Sequence, residues 1–583
     1  MAPCGSLLRA RTLAAVGAAF LLLSVACSED RPDAGPRPGD AQPLPTNVGE
    51  DAPINLEYVC GNRFMVSNSY RVPVSVTYRV VGTAEEGSAE LEAAPELDPA
   101  MSQVMIETRT RGTVQLSFQG KAIVARTNDG ASCAAAGPVS AAVASATAAD
   151  TGQWTAPFYW PVIAVHMVLL PDGKVLSLGR QGVPQVWNPA TGAFASSPSP
   201  AWLFCSGHAV LGDGRVLFVG GHISNNHGLP NITVFNASGG WSSSAQMARG
   251  RWYPTATTLG NGDVVILAGR DQGGVDVPLP EVWSNGSVRQ LTGASYVWPY
   301  YPRSFLAPDG RLFVAGAPIL SRWLTLSGSG AWKAGPKRLG GARNYGSAVM
   351  YDDGKILYAG GAYTTNTAET IDLNTASPVW RWTASMAFAR RHLNLTVLPT
   401  GQVLATGGVA GTTFNDVTKG VHAAELWDPS TAQWTTLASS AITRGYHATS
   451  LLLPDGRVIH SGGGDGAGAP QQNNAEIFSP PYLFRGARPT ITTAPDQVGY
   501  GAEFRVQTPN AGTITHVSLI RTGAATHAFD ENQRFQHLAF TADATGLTVK
   551  APTSSNRAPP GYYLLFILNG SDVPSVGKFV RIN

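Results

Sequence analysis

A short phrase recurs seven times between residues 171 and 458: a turn carrying glycine, a basic or polar residue, an apolar strand and a stop of small residues. Its copies are Pro171-Asp172-Gly173-Lys174-Val175, Gly212-Asp213-Gly214-Arg215-Val216, Gly260-Asn261-Gly262-Asp263-Val264, Pro308-Asp309-Gly310-Arg311-Leu312, Asp352-Asp353-Gly354-Lys355-Ile356, Pro399-Thr400-Gly401-Gln402-Val403 and Pro454-Asp455-Gly456-Arg457-Val458. Successive glycines lie 41, 48, 48, 44, 47 and 55 residues apart. Unrelated hairpins would not hold phase over seven turns. Each copy therefore marks one supersecondary unit that buries its apolar face against the next.

The spacing is close to the roughly 50 residues of a kelch blade. Four copies close on Gly-Gly, at 220–221, 360–361, 407–408 and 462–463, and a later strand ends in an Asn-Pro or Asp-Pro turn at Trp187-Asn188-Pro189 and Trp427-Asp428-Pro429. Residues 151–481 thus read as a seven-bladed kelch β-propeller around an axial channel. Apolar alternation at Val72, Val74, Val76, Tyr78 and Val80, and again at Val114, Leu116 and Phe118, predicts a β-sandwich over 51–135. An Ala/Ser-rich linker follows at 136–150. Alternation resumes at Phe504, Val506, Val517, Leu519 and Tyr563–Leu568, which predicts a second β-sandwich over 482–583. The expected fold is all-β.

Charged residues make up 14% of the chain, against about 25% in an ordinary soluble protein. Lys plus Arg number 41 and Asp plus Glu 39, with no basic or acidic block, so no nucleic-acid partner is expected. Arg9 and Arg11 precede an apolar run from Leu13 to Ala26, which predicts an export signal over 1–27 and an exported protein. The end of that run, Leu23-Ser24-Val25-Ala26-Cys27, is similar to a bacterial lipoprotein signal, with Ser24 where Leu is usual. Membrane attachment through a lipidated Cys27 and plain secretion therefore both stay open. Residues 28–50, with five prolines, read as a tether. In an oxidising compartment Cys60 and Cys133 can form a disulfide at the two ends of one small domain, which leaves Cys205 outside that pairing.

Repeat phase also points to a site. Nine residues before the seven turn glycines stand Ala164, Cys205, Tyr253, Tyr301, Tyr345, His392 and His447. Equivalent positions surround one axis, and this one falls at the start of the innermost strand, at the channel mouth. A packing ring would favour Val, Ala, Thr or Gly. Three phenols, two imidazoles and a thiol instead make a set of metal-ligating and redox groups. Tyr446 directly precedes His447, so one blade offers two donors. Nitrogen and oxygen donors with a single thiol suit Cu(II) better than zinc. His222 and His227 fall in a Gly- and Asn-rich loop that reads as surface, and His166 and His460 as structural.

At these residues the chain resembles the galactose oxidase and glyoxal oxidase family of copper radical oxidases, from about residue 150 to the C-terminus. Phe204-Cys205-Ser206-Gly207-His208 is similar to the family segment around the cysteine that bonds to a tyrosine, and Ala248-Arg249-Gly250-Arg251-Trp252-Tyr253-Pro254-Thr255 to the segment around that tyrosine. Arg444-Gly445-Tyr446-His447 matches the Tyr-His ligand pair. Glu476 to Leu483 resembles the exit into the C-terminal domain, Thr526-His527 with Asn532-Gln533-Arg534 the loop carrying the last histidine, and Pro559 to Tyr563 the closing strand.

The resemblance implies an immunoglobulin-like early-set C-terminal sandwich. It also implies one copper ion held by Tyr253, Tyr446, His447 and His527, and a Cys205–Tyr253 thioether that carries a radical. Oxidation of an alcohol removes two electrons and Cu(II) accepts one, so the modified Tyr253 is the second acceptor. Tyr446 is the implied general base, and O2 reoxidises the site and leaves as H2O2. Galactose oxidases stack a Trp over the cross-link shortly after the strand that follows the modified tyrosine. This chain has Arg270-Asp271-Gln272-Gly273-Gly274 there, and the sequence does not say which aromatic replaces it. The first sandwich carries no galactose-binding signature, so small aldehydes and other primary alcohols stand beside sugars as expected substrates. Tyr301, Arg303, Tyr345 and His392 are the candidate substrate contacts. The competing expectation is a non-catalytic kelch propeller that binds cell-surface carbohydrate or protein. A hydrolytic propeller would need paired carboxylates at the mouth, and the phase positions hold none.

Overall fold

The computed structural model describes residues 54–60, 62–68, 73–91, 102–128, 147–362, 364–464 and 469–583. The export signal, Cys27, the tether at 28–50 and the Cys60–Cys133 pairing lie outside the described residues. The described chain is all-β, with helix confined to Ala148–Thr151 and three single 3-10 turns. None of these is long and apolar enough to cross a membrane. The helix Ala148–Thr151 departs from the expected linker. Thr147 and Asp150 form a capping box in which the carboxylate accepts from the Thr147 amide and hydroxyl at 3.2 and 2.7 Å.

Every copy of the repeated phrase is the turn between the first two strands of a sheet. The seven turn glycines have φ between 69° and 89°, a left-handed conformation that glycine adopts without steric cost. Gly173 N–H donates to Leu170 O at 2.9 Å, and Asp172 Oδ1 accepts from Lys174 N–H at 3.1 Å. The same carboxylate bond recurs at Asp213, Asp309 and Asp455. The Asp-Gly pair is thus a local device for reversing the chain.

The strands Gly207–Val210, Val216–Val219, Ile232–Asn236 and Gly240–Ser243 pair as an antiparallel meander, and the same meander begins again at Thr255, Arg303, Ser347 and Asn394. First strands touch from sheet to sheet, from Gly207–Val210 round to Ala448–Leu452, which in turn touches His166–Leu169. Two sheets are modified where the circuit closes. The sheet beginning at Ala448 takes its outer strand, Gln153–Trp154, from before the first repeat, so the two ends of the repeat region share one sheet. The sheet beginning at His166 is extended inward by the hairpin Ala524–Thr526 and Phe529–Asp530, through His166↔Thr526, Met167↔Ala525 and Val168↔Ala524. A segment of the C-terminal domain therefore stands among the innermost strands.

That domain consists of a five-stranded and a three-stranded sheet sharing one core, which includes Val506, Leu519, Val549, Tyr563 and Val580. The described residues between 54 and 127 likewise form a three-stranded and a four-stranded sheet around Leu56, Phe64, Val66, Val76, Val114 and Leu116.

Candidate metal and redox site

The turn before each first strand presents one side chain inward, and the backbone there is unusual. Cys205, Tyr253, Tyr301, Tyr345, His392 and His447 all have φ between 48° and 68°. Left-handed backbone costs a non-glycine residue about 1–2 kcal/mol, so six such residues need compensation. Hydrogen bonds between sheets supply part of it. Tyr253 N–H donates to Cys205 O at 2.9 Å, Tyr301 N–H to Tyr253 O at 3.1 Å and His392 N–H to Tyr345 O at 2.9 Å.

Buried arginines supply another part. Arg251 donates to Ala268 O at 2.7 Å and to Glu281 at 2.8 Å, while Glu281 also accepts from Ala248 N–H at 2.8 Å. Arg444 repeats this with Gly462 O at 2.9 Å and Glu476 at 3.1 Å, and Glu476 accepts from Ala441 N–H at 2.7 Å. Arg343 with Glu369 and Arg390 with Glu425 are further copies. Each arginine sits two or three residues before a presented side chain and clamps the turn that aims it. Ala164, at the remaining phase position, presents no donor, and the hairpin carrying His527 enters beside its sheet.

Four donor groups converge inside. Tyr253 Oη lies 2.5 Å from Tyr446 Oη and 3.3 Å from His447 Nε2. The His527 ring is 4.6 Å from the Tyr253 ring and 4.7 Å from the His447 ring, centre to centre. Backbone and hydroxyl partners fix both imidazoles. His447 Nδ1 donates to Gly464 O at 2.8 Å, which leaves Nε2 with its lone pair inward. Thr526 Oγ1 donates to Val165 O at 3.0 Å and so accepts from His527 Nδ1–H at 2.6 Å. His527 Nε2 is then a buried lone pair with no hydrogen-bond partner.

Burial, then the Cys205 thiol and the Tyr446 phenol, holds the Tyr253 phenol well above its ordinary range. Burial, then His447 and His166, holds His527 well below its ordinary value. Neutral imidazoles and a phenol that would lose its proton only to a cation are groups that can ligate a metal. Two phenol oxygens and two imidazole nitrogens suit Cu(II).

Cys205 is fully buried and shares one cluster with Tyr253, Trp252, Tyr300 and Tyr301. The aromatic that covers Tyr253 is its own neighbour. The Trp252 ring stacks on Tyr253 at 4.0 Å with 12° between planes, and its indole N–H donates to His222 Nδ1 at 3.0 Å. In a strand adjacent side chains point to opposite faces. The left-handed turn at Tyr253 breaks that rule, so the sequence pattern gave no hint of the stack. His222 is also a correction to the surface-loop expectation: it is 2% exposed, whereas His227 bonds Ser224 and Asn225 outside. His166 Nε2 accepts from Cys205 N–H at 3.2 Å and His460 bonds Ser450, both structural as expected.

The four candidate substrate contacts divide into two pairs. Tyr301 donates its phenol proton to Ser206 O at 2.9 Å and stacks on His527 at 4.5 Å. Arg303 spends its guanidinium on the carbonyls of Tyr301, Gly346 and His527. Both are buried and contact His527, Tyr301 through its ring and Arg303 through its guanidinium. Tyr345 and His392 lie instead against Tyr446, at 5.6 and 5.2 Å between ring centres. A loop the sequence did not single out completes that side. The Phe414 ring packs on Tyr446 at 4.8 Å, and Asn415 Oδ1 accepts from Tyr446 N–H at 3.0 Å.

Residues 188–482 match the family model for the glyoxal oxidase N-terminus, and residues 488–582 the galactose oxidase-like early set domain. A galactose oxidase of Gibberella zeae is 31% identical over 487 residues, covering 74% of this chain and 70% of that protein. The aldehyde oxidase GLOX of Vitis pseudoreticulata is 30% identical over 436 residues, covering 65% of this chain and 82% of that one. A solved fungal alcohol oxidase of the AA5 family, in complex with copper, superimposes with a TM-score of 0.69 at 25% identity, over 74% of this chain and all of that one. By these matches and their extent, the chain belongs to the galactose oxidase and glyoxal oxidase family.

Proposed function

We propose that the protein is an exported copper radical oxidase that converts a primary alcohol or small aldehyde, with O2, to the aldehyde or acid and H2O2. Its proposed architecture is an N-terminal β-sandwich, a seven-bladed kelch propeller and an early-set sandwich that contributes one ligand. Tyr253, Tyr446, His447 and His527 would hold one copper ion, and Cys205 would be joined to Tyr253 by a thioether. The observation that carries this reading is the partnerless Nε2 of His527, buried beside two phenol oxygens 2.5 Å apart and a second imidazole nitrogen.

Bound copper would supply a one-electron acceptor and a Lewis acid that orients and acidifies the substrate hydroxyl. Tyr446 Oη takes the hydroxyl proton as general base. The oxidised ring of Tyr253 takes hydrogen from the adjacent carbon, which accounts for the second electron. Tyr345, His392 and Phe414 pack beside Tyr446 and form an aromatic wall on that side of the proposed base. Copper-loaded protein assayed for peroxide against a panel of sugars, primary alcohols and small aldehydes tests the reading. Copper-dependent H2O2 from at least one member is expected. Stoichiometric copper binding without peroxide from any member would overturn it.

A further inference from the structure

A cofactor that works by two-electron steps is stranded when it gains or loses a single electron. Its rescue needs one-electron exchange with an outside partner. Tyr253, His447 and His527 are each at most 3% exposed and Tyr446 6%, so a bulky hydrated complex ion has far less direct access to them than a small substrate. Among the described residues, one line of aromatic groups starts on the face of the Tyr253 ring and ends on a largely exposed indole. Trp252 stacks on Tyr253 at 4.0 Å. Its indole N–H bonds His222, whose ring meets the Trp202 ring edge-on at 4.5 Å. Trp202 is 46% exposed and is held by a 2.7 Å bond from its indole N–H to Arg180 O.

We propose that Trp252, His222 and Trp202 form a one-electron conduit between Tyr253 and small outer-sphere redox partners at the surface. The inference rests on the copper radical oxidase reading. Indole is, with phenol, among the side chains most easily oxidised by one electron, and its radical cation is far more acidic than the neutral ring. His222 Nδ1 accepts the Trp252 N–H bond, so it takes that proton while the hole is on the indole and returns it afterwards. An oxidant such as ferricyanide gains one electron from Trp202 and becomes ferrocyanide. Trp202 is refilled from Trp252, and Trp252 from the Tyr253 phenolate, which becomes the phenoxyl. One electron leaves the protein and no proton is gained or lost overall. Tyr300 also touches Tyr253 and Trp252, at 5.0 and 5.1 Å, but is only 8% exposed and its phenol is bonded to Asn226.

The test uses copper-loaded full-length protein, first brought to the radical-free state with a one-electron reductant and then mixed with ferricyanide in a stopped-flow instrument. The rate of appearance of the phenoxyl absorption band is read. Trp202→Phe is expected to slow activation by about tenfold, the effect of a 1.4 kcal/mol rise in barrier. Trp202→Tyr, which restores an oxidisable ring, is expected to recover the wild-type rate. Trp382→Phe, at a 52% exposed tryptophan off the line, is the control and is expected to change nothing. Turnover of fully activated Trp202→Phe protein should equal that of wild type. Wild-type activation in Trp202→Phe, or equal slowing in the Phe and Tyr variants, would overturn the conduit. Failure of the underlying reading is seen separately, as wild-type protein that never develops a phenoxyl band.

Discussion

Single residues carry the chemistry here because each has a partner that fixes its tautomer or orientation. His527 is the plainest case: Thr526 decides which nitrogen holds the proton, and Tyr301 and Arg303 hold the ring and its carbonyl. Outer partners of this kind are worth 10- to 100-fold in metal affinity or activity. Thr526→Val, which keeps the shape and removes the acceptor, is expected to weaken copper binding within about that range. Titration of the metal-free protein with copper, followed by competition with a chelator, measures it. Trp252→Phe keeps a ring over Tyr253 but leaves His222 Nδ1 without its donor, at a cost of about 1–3 kcal/mol. Denaturant unfolding should report that loss, and an unchanged midpoint would show the His222 bond to be dispensable. The phase positions were legible at this scale because a repeat forces equivalent residues to equivalent places. Trp252, Phe414 and Asn415 were not. Their roles come from a left-handed turn and from an irregular loop, neither of which leaves a period in the sequence.

Elements of structure present these residues, and two of them store strain. In the inserted hairpin, His527 and Ala528 both have positive φ, 44° and 64°, as a tight two-residue turn requires. Asn-Gly is the easy solution for such a turn. Here His527 must stay for its ring, but Ala528→Gly removes a left-handed penalty and should stabilise the fold by about 1 kcal/mol. A lower unfolding midpoint in that variant would contradict the turn argument. The arginine clamps are the second device. Arg444→Met leaves Glu476 buried with its charge uncompensated, a loss of about 3–5 kcal/mol, and should loosen copper binding because the turn aims Tyr446 and His447. The repeat, its turns and its sheet boundaries were readable from Asp-Gly phrases and Gly-Gly stops. The insertion of the C-terminal hairpin was not, because His166↔Thr526 pairs residues 360 apart with no local pattern to announce it.

Over the whole molecule, charge is sparse outside but titratable groups are dense inside. Burial lowers His166, His392 and His527 well below the ordinary 6.5, His222 to about 4, and His208 and His460 to about 3. Each stays neutral when folded and takes a proton near pH 6.5 when unfolded. Its contribution to stability is full above that pH and is lost as pH falls toward the folded value. Asp530 and Glu531, raised by burial, act in the opposite direction. With these imidazoles and that of His537, also lowered by burial, against two raised carboxyls, metal-free protein is expected to lose stability steadily between pH 6.5 and about 4. Denaturation midpoints across that range check the sign, and a rise on acidification would contradict it.

The central claim is that Cys205 and Tyr253 meet in one redox centre with Tyr446, His447 and His527. Mass spectrometry of peptides from protein loaded with copper in air tests it most directly. A single species containing both Cys205 and Tyr253 is expected, lighter by two hydrogens than the two separate peptides and absent from Cys205→Ala protein. Two separate, unmodified peptides after full copper loading would contradict it.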